Sequence, residues 1–190
     1  SEVTGRKTFA EVVTDFEDAD AIGVDIPIGL PADGPYRRAD RDARRTVSAS
    51  TVFPTYPRIV YEAGSHADAV AMCRAHDWPG ISRQSFGLWQ RISEVAPYEG
   101  RAHEVHPEVS FQQLNGAPLR ASKHSWNGFF LRRRLLADHG LHIPDQLIEP
   151  LPLIDVLDAA AVAWTAQRIA NSEALTLPAD PGPGEPTITY

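Results

Sequence analysis

Apolar residues recur along the chain with two different periods, which separate predicted helices from predicted strands. Residues 8–18 carry four apolar side chains at the spacing of a single helix face: Phe9, Val12, Val13 and Phe16. Thr8 and Glu11 have the pattern of a capping box, which favours a helix beginning there. Residues 21–26 are apolar except for one acid, which is typical of a buried strand. A helix followed closely by such a strand indicates an α/β protein.

The same patterns predict a largely helical insertion over residues 33–97. An arginine-rich stretch from about 35 to 45 suits an exposed helix. Residues 61–76 and 86–95 carry apolar positions at helical spacing. Residues 101–106 then have the pattern of a second, more polar strand. Beyond it, three further helices are expected, over residues 108–114, 129–139 and 153–171.

Length and composition are consistent with a single domain over residues 1–190. Apolar residues make up 43% of the chain, and no apolar run approaches the roughly 20 residues that a membrane helix needs. The N-terminal residues lack the apolar core of a signal peptide, and the single cysteine, Cys73, fits a reducing compartment. We therefore expect a cytoplasmic protein without membrane contact. The net charge of −7 argues against a general nucleic-acid coat, although metal-binding carboxylates contribute to it.

Asp25 is the acid of the first predicted strand and is flanked by Val24 and Ile26. An ionised carboxylate is costly to bury without a partner charge, hydrogen bonds or a metal ion. Asp25 either caps the turn after the strand or lies at the carboxyl end of a sheet strand, where open α/β folds bind their ligands. We favour the second interpretation because two further acidic clusters occur downstream.

The first downstream cluster lies at the predicted strand-to-helix junction around Pro107. Alternation along a strand places Glu104 and His106 on the same face. Glu104 is alternatively a solvated residue of a half-buried strand. Glu108 falls in the first helical turn, where the helix dipole alone favours an acid, so a capping role explains it as well as ligand binding does.

The second cluster opens the last predicted helix. Asp155 and Asp158 are three residues apart, so their carboxylates stack on one helix face, roughly 5–6 Å apart at Cβ. Like charges at this spacing repel unless a cation or solvent screens them. The alternative is that Asp155 is the N-cap and Asp158 its N3 companion, and both roles are compatible.

Three separated carboxylate sets indicate a divalent-metal site. Hard oxygen ligands bind Mg²⁺ or Mn²⁺, and two such ions about 4 Å apart activate water in phosphoryl transfer. The chain contains no HExxH, CxxC, Walker A or GxGxxG motif and no nucleophile elbow. The pattern therefore favours metal-dependent hydrolysis over zinc-protease, nucleotide-binding or serine-hydrolase chemistry.

Several segments occur in an order that resembles a known family. They are Gly23-Val24-Asp25-Ile26-Pro27-Ile28-Gly29-Leu30-Pro31, Arg38-Ala39-Asp40-Arg41-Asp42-Ala43-Arg44, Val52-Phe53-Pro54, Glu104-Val105-His106-Pro107-Glu108-Val109-Ser110-Phe111, Ser122-Lys123 and Asp155-Val156-Leu157-Asp158-Ala159. Over nearly the whole chain, the sequence resembles the uncharacterised predicted RNase H-like nucleases (domain of unknown function four-two-nine). The last segment is also similar to the final acidic motif of Holliday-junction resolvases. The resemblance implies an RNase H-like fold, with a mixed central sheet flanked by helices.

The resemblance also implies two sets of site residues. The ligands of Mg²⁺ or Mn²⁺ would be Asp25, Glu104 and Asp158. Further ligands or proton-transfer groups would be Asp155, His106 and Glu108. RNase H-like folds open with a three-stranded antiparallel meander whose first strand carries an essential aspartate. Residues 1–6 correspond at most to the end of its third strand, so we expect that meander to be absent from this chain.

Basic residues are the candidates for substrate contact. Arg41, Arg44 and Arg45 follow the Asp25 strand and suit phosphate binding, although an arginine-rich helix is more often a solvated face. Lys123 is a candidate to stabilise transition-state charge, with an ordinary surface lysine as the alternative. We expect a metal-dependent, nuclease-like phosphodiester hydrolase acting on nucleic acid. The alternatives are a non-catalytic binding or regulatory module of the same fold, and a hydrolase of small phosphorylated molecules.

Overall fold

A computed structural model describes residues 8–146 and 150–190. The helices and strands follow one another in the order α1 (Phe9–Asp15), β1 (Ile22–Val24), α2 (Arg38–Thr46), α3 (Arg58–Tyr61), α4 (His66–Ala75), α5 (Arg83–Gly87), α6 (Trp89–Val95), β2 (Ala102–Glu104), α7 (Pro107–Asn115), α8 (Trp126–Asp138), α9 (Leu153–Ala170), β3 (Thr176–Leu177) and β4 (Ile188–Thr189). A 3₁₀ turn at Ala96–Tyr98 follows α6. None of the described helices is both long and apolar enough to cross a membrane.

The protein is a mixed α/β protein with small sheets. β1 pairs in parallel with β2, and β3 pairs with β4. The described strands thus form two two-stranded sheets, and a single parallel bridge between Val105 and Thr189 links the end of β2 to β4. The family resemblance implies a larger central sheet. Proline explains why the strands are short, because it cannot donate to a ladder. Pro27, Pro107 and Pro178 each follow within three residues of a strand end.

The described chain divides into two compact units. The first unit comprises residues 8–25, 101–146, 150–175 and 189–190, and the second comprises residues 26–100 and 176–188. The predicted helical insertion, residues 33–97, falls within the second unit, to which the segment 176–188 also contributes.

The first unit places its short parallel sheet against α9. Gly23 of β1 makes this close approach, because a Cβ there would lie 2.8 Å from Cγ1 of Val162 on α9. Ser110 of α7 and Thr165 of α9 share a buried hydrogen bond of 2.8 Å. Helices α7, α8 and α9 enclose the apolar core, which consists of Phe111, Leu114, Leu135, Leu136, Leu157, Ala160, Ala161 and Trp164. The core thereby fixes the three helices that surround the candidate site.

The second unit packs its helices around aromatic and aliphatic residues. Its core consists of Tyr56, Val60, Tyr61, Ala69, Cys73, Ile81 and Ile92. The helix expected to be exposed over residues 35–45 is instead buried on one face, and α2 buries Ala39, Asp40 and Ala43. Burial of the acid is possible because Arg37 forms a 2.6 Å ion pair with Asp40.

Local capping explains where the helices begin. The capping box predicted for α1 is confirmed, since Thr8 Oγ1 accepts from the Glu11 amide at 3.3 Å and the Thr8 amide donates to Glu11 Oε2 at 2.8 Å. The single helix predicted over residues 61–76 is wrong, because the Ser65 side chain accepts from the Asp68 amide and starts a new helix, α4.

The helix predicted over residues 86–95 also differs from the structure. It is two helices, α5 and α6, and α5 begins earlier because the Ser82 side chain accepts from the Ser85 amide. The turn at Leu88 separates the two helices. In both cases a serine that caps a helix outweighs apolar spacing, which alone does not mark where one helix stops and the next begins.

Candidate functional site

Asp25 directly follows β1 in the first unit. Side chains two residues apart point to the same face of a strand, so Asp25 lies on the side on which Gly23 packs against α9. Asp25 is an exposed residue, but the protein around its carboxylate removes part of the hydrating water and raises its pKa to about 7. The Asp158 carboxylate adds to this rise in pKa, and the Lys123 ammonium opposes it. The structure therefore brings Asp25 close to Asp158.

Asp158 lies in the second turn of α9, and its side chain is 16% exposed. Oδ2 accepts a 2.6 Å hydrogen bond from Lys123 Nζ. Oδ1 is buried, and no described residue donates to it. A buried acceptor without a donor costs on the order of 1–3 kcal/mol, so Oδ1 is a point at which a cation or proton would bind favourably. We call Asp25 and Asp158 the carboxylate pair.

Burial raises the pKa of Asp158, as it does that of Asp25. The hydrogen bond and charge of Lys123 oppose this rise in pKa, whereas the Glu108 carboxylate adds to it. His106 exerts a smaller effect that lowers the pKa. Asp158 raises the pKa of Asp25, and acids with a raised pKa are a common feature of functional sites, although structural networks produce them too.

Lys123 is held in the connector between α7 and α8. The Ser125 hydroxyl donates to the Ser122 carbonyl at 2.7 Å and accepts from the Gly128 amide at 3.1 Å, which caps α8. Gly128 lets the connector lie against the helix, because a Cβ there would overlap the Ser122 carbonyl oxygen. These contacts fix the backbone on both sides of Lys123 and keep its ammonium group next to Asp158.

Glu108 of α7 is the counterion of a buried arginine. Arg132 of α8 is 2% exposed, and it donates from Nε to Oε1 at 3.0 Å and from Nη2 to Oε2 at 2.6 Å. Its Nη1 also donates to the carbonyl oxygens of Ala121 and Gly128. The sequence suggested a cap or a metal ligand for Glu108. The structure shows both carboxylate oxygens engaged by Arg132 in a bidentate pair.

Glu104 and His106 occupy different positions relative to the carboxylate pair. Glu104 is buried at the end of β2 and lies in register with Val24. Val24 points to the opposite face from Gly23, so the register directs Glu104 away from α9 and from the carboxylate pair. His106 is the N-cap residue of α7 and lies near enough to Asp158 to affect its pKa.

Asp155 lies in the first turn of α9 and is exposed. The alternative in which Asp155 caps the helix with Asp158 at N3 is wrong, because Pro152 is the N-cap residue and α9 begins at Leu153. Asp155 therefore faces solvent, whereas Asp158 is enclosed one turn further along.

The three candidate arginines all belong to α2 in the second unit. Arg44 donates to the Val52 carbonyl oxygen and lies 5.2 Å above the Tyr36 ring, so its guanidinium is held internally. Arg45 is exposed and pairs with Asp42 at 2.9 Å. Arg41 is exposed as well. A phosphate-binding role for these arginines stays a prediction.

The charges around the carboxylate pair are not balanced. Three carboxylates, those of the pair and of Glu108, accompany two permanent cations, Lys123 and Arg132. Three minus two leaves one net negative charge when all are ionised. Within residues 8–146 and 150–190, no group of three or more His, Cys, Asp or Glu side chains is arranged to hold a metal.

A pair of carboxylates still suits Mg²⁺. This ion is commonly bound by one or two protein carboxylates, and water and substrate phosphate complete its octahedral shell. The donor chemistry of the pair, its net negative charge and the unpartnered Oδ1 of Asp158 therefore fit one divalent cation. Arg132 engages both carboxylate oxygens of Glu108, and the register of β2 directs Glu104 away from the pair. A ligand role for Asp155 stays a prediction.

Arg132 is the site-supporting residue that the sequence interpretation missed. It stands among three consecutive arginines, which resemble a solvated cluster. Helical spacing offered a signal, because Arg132 lies three and four residues before the core residues Leu135 and Leu136. An arginine on the apolar face of a helix predicts a buried acidic partner, because a buried charge needs a counterion. Its neighbours Arg133 and Arg134 do not share this position.

The fold and the site define a mixed α/β protein with a pair of carboxylates next to a lysine. The chain belongs to the family described as protein of unknown function (DUF429), whose model matches residues 2–182. No curated protein and no solved structure matches the chain.

Proposed function

We propose that this protein is a divalent-metal-dependent, nuclease-like phosphodiester hydrolase with an RNase H-like fold. The observation that carries the proposal is the carboxylate pair, in which Asp25 has a pKa of about 7 and Asp158 has a buried oxygen without a donor. The RNase H-like assignment rests on the sequence resemblance and is supported by the two acids, one after a strand and one on the long helix beside it.

Asp25 and Asp158 are the residues that would hold Mg²⁺ or Mn²⁺. Such an ion, when bound, supplies positive charge that polarises the phosphoryl oxygens and lowers the pKa of a bound water. In the hydrolysis, a P–O bond to water forms, the ester P–O bond breaks, and a proton from the water passes to the leaving oxygen. Glu104 enters the proposal only as a predicted ligand, because its register directs it away from the pair.

Lys123 supplies a fixed positive charge at the same place. Its ammonium group lies 2.6 Å from Asp158 Oδ2, within reach of a phosphate that approaches the pair. Positive groups placed before the reaction stabilise the negative charge that develops in phosphoryl transfer. Arg132 and Glu108 position the Lys123 connector and do not need to touch the substrate. Arg41, Arg44 and Arg45 are the further candidates for phosphate contact.

The Lys123–Asp158 ion pair also favours a second candidate function, a non-catalytic binding or regulatory module. An internal ammonium group already neutralises part of the carboxylate pair, so the fold does not depend on a metal for charge compensation. The net charge of −7 similarly suits small phosphorylated molecules as substrates instead of long nucleic acids.

Isosteric neutralisation tests the proposed hydrolase. Asp25→Asn and Asp158→Asn should each abolish Mg²⁺- or Mn²⁺-dependent cleavage of oligonucleotides while the thermal unfolding midpoint is retained. Asp138→Asn, at an exposed acid that ends α8, is the matched control. Unchanged cleavage in both site variants would end the proposal.

Two further experiments separate the alternative functions. Cleavage of nucleotides but not of oligonucleotides would indicate a small-molecule hydrolase instead of a nuclease. Calorimetric titration that detects no binding at millimolar metal would favour the non-catalytic module.

A further inference from the structure

An acid-free segment surrounds Lys123 in an otherwise acidic protein. Between Glu108 and Asp138 the chain has no aspartate or glutamate, although its net charge is −7. The basic residues of this segment are Arg120, Lys123, His124, Arg132, Arg133 and Arg134. Such local separation of charge gives a patch that attracts anions despite the overall negative charge.

Two aromatic side chains on this segment face solvent. Trp126 is 77% exposed and Phe130 is 39% exposed. They are four residues apart on α8, and their ring centroids are 4.4 Å apart, so the rings form one continuous apolar surface. Neither ring is part of the core that α8 shares with α7 and α9. Two exposed aromatic rings in contact with each other form an apolar patch, and such patches mark binding surfaces more often than single exposed residues do.

The arginines of this segment differ in whether they are already engaged by an acid. Arg132 is bound by Glu108, and Arg133 pairs with Asp145. Arg120 and Arg134 are exposed, and neither forms an ion pair with an acid of residues 8–146 and 150–190. Arg134 lies four residues beyond Phe130, on the same helix face. The face therefore combines two aromatic rings with available positive charge.

The aromatic face also lies close along the chain to Lys123 of the candidate site. Trp126 is only three residues beyond Lys123, so their Cα atoms are at most roughly 10 Å apart. The hydrogen bonds of Ser122, Ser125 and Gly128 fix the backbone between them. A ligand that lies on Trp126 is thereby held close to the ammonium group that contacts Asp158.

We propose that Trp126 and Phe130 form a stacking platform for the bases of an unpaired nucleic-acid strand. Arg120 and Arg134 contact the phosphates of that strand. Aromatic stacking combined with basic groups is how proteins hold single strands without reading their sequence, and a paired duplex does not offer its base faces. The inference rests on the proposed function and deepens it, because it names single-stranded RNA or DNA as the substrate class of the same site.

Binding measured without metal tests the platform independently of cleavage. In EDTA, fluorescence anisotropy with a labelled single-stranded RNA, the matching single-stranded DNA and the matching duplex would give affinities for wild-type protein and variants. Trp126→Ala should weaken single-strand binding roughly tenfold, Trp126→Phe should retain most of it, and added salt should weaken all of it. Phe16→Ala, at an exposed aromatic flanked by acids, should leave binding unchanged. The RNA and DNA arms show which strand is preferred.

Equal affinities for wild type and Trp126→Ala, equal affinities for single strand and duplex, or no binding at low salt would each overturn the platform. A dimer that Trp126→Ala dissociates in light scattering would assign the face to a second copy of the chain and would overturn it as well. Metal-dependent cleavage that Trp126→Ala leaves intact rejects the platform but not the hydrolase. Single-strand binding without any metal-dependent cleavage rejects the hydrolase but not the platform.

Discussion

Lys123 and Asp158 form a 2.6 Å ion pair at the centre of the candidate site. The ammonium group supplies from the chain itself part of the positive charge that the carboxylate pair needs. A divalent cation at the same carboxylates would experience repulsion from Lys123 and would compete with it for Asp158. The ion pair therefore sets how strongly the site attracts a metal.

Replacing Lys123 by methionine should raise the affinity for Mg²⁺ and Mn²⁺. Lys123→Met removes the charge and leaves an unbranched side chain one atom shorter. The repulsion between two nearby cations then disappears, which is worth roughly 1 kcal/mol or more near a protein surface. We expect about tenfold tighter metal binding by isothermal titration calorimetry and, at the same time, slower phosphodiester cleavage. Lys123→Arg retains the charge and is the control. Metal binding that weakens in Lys123→Met would contradict competition between the two cations.

The raised pKa of Asp25 predicts how stability depends on pH without metal. The pKa is about 7 in the folded protein and about 3.8 without the protein environment, so the folded state binds more protons between these values. The free energy of unfolding therefore falls as the pH rises from about 4 to 7, and it stays low above pH 7. The side chain of Asp25→Asn does not titrate, so this variant should not show the same fall in the free energy of unfolding.

Urea unfolding in EDTA at pH 4, 6 and 8 measures this effect. Between pH 4 and pH 8, the free energy of unfolding of Asp25→Asn should rise by roughly 1 kcal/mol relative to that of wild type. The expected difference is this small because solvent contact at Asp25 reduces the effect of its shifted pKa. Asp138→Asn, at an exposed acid, is the control and should follow the wild-type profile. Parallel profiles for wild type and Asp25→Asn would show that Asp25 has an ordinary pKa.

Local patterns in the sequence predicted the parts of this protein that depend on neighbouring residues. The Thr8 capping box and the apolar run of α9 are of this kind, because both are set within a few residues. Asp25 and Asp158 stood out for the same reason, as acids in apolar surroundings. Which charges meet across elements was not predictable, because Arg132 and Glu108 are 24 residues apart and only the packing of α7 and α8 brings them together.

Burial of Arg132 predicts a large loss of stability on substitution. Arg132→Met leaves the Glu108 carboxylate and two carbonyl oxygens without their donors. Breaking a buried ion pair in this way costs on the order of 3–5 kcal/mol. Arg134→Met removes a neighbouring exposed arginine and should change stability by less than about 0.5 kcal/mol. Urea unfolding compares the two variants, and similar stabilities would contradict the role of Arg132 as the structural anchor of the connector.

Gly128 should be intolerant of even one additional carbon atom. A Cβ there would overlap the Ser122 carbonyl oxygen, so the connector must move away from α8 and take Lys123 with it. Gly128→Ala should therefore destabilise the protein by roughly 1–3 kcal/mol, although alanine is the better helix former. Displacement of Lys123 should also tighten metal binding towards the affinity of Lys123→Met.

Gly87→Ala provides the matched control, because Gly87 is helical and no atom outside its own helix backbone and chain neighbours lies within 4 Å of its Cβ position. That substitution should be neutral or should stabilise the protein by roughly a few tenths of a kcal/mol, because alanine lowers the entropy of the unfolded chain. Urea unfolding and calorimetric Mg²⁺ titration of both variants separate the effects. Gly128→Ala with wild-type stability and wild-type metal affinity would show that the connector does not position Lys123 through this contact.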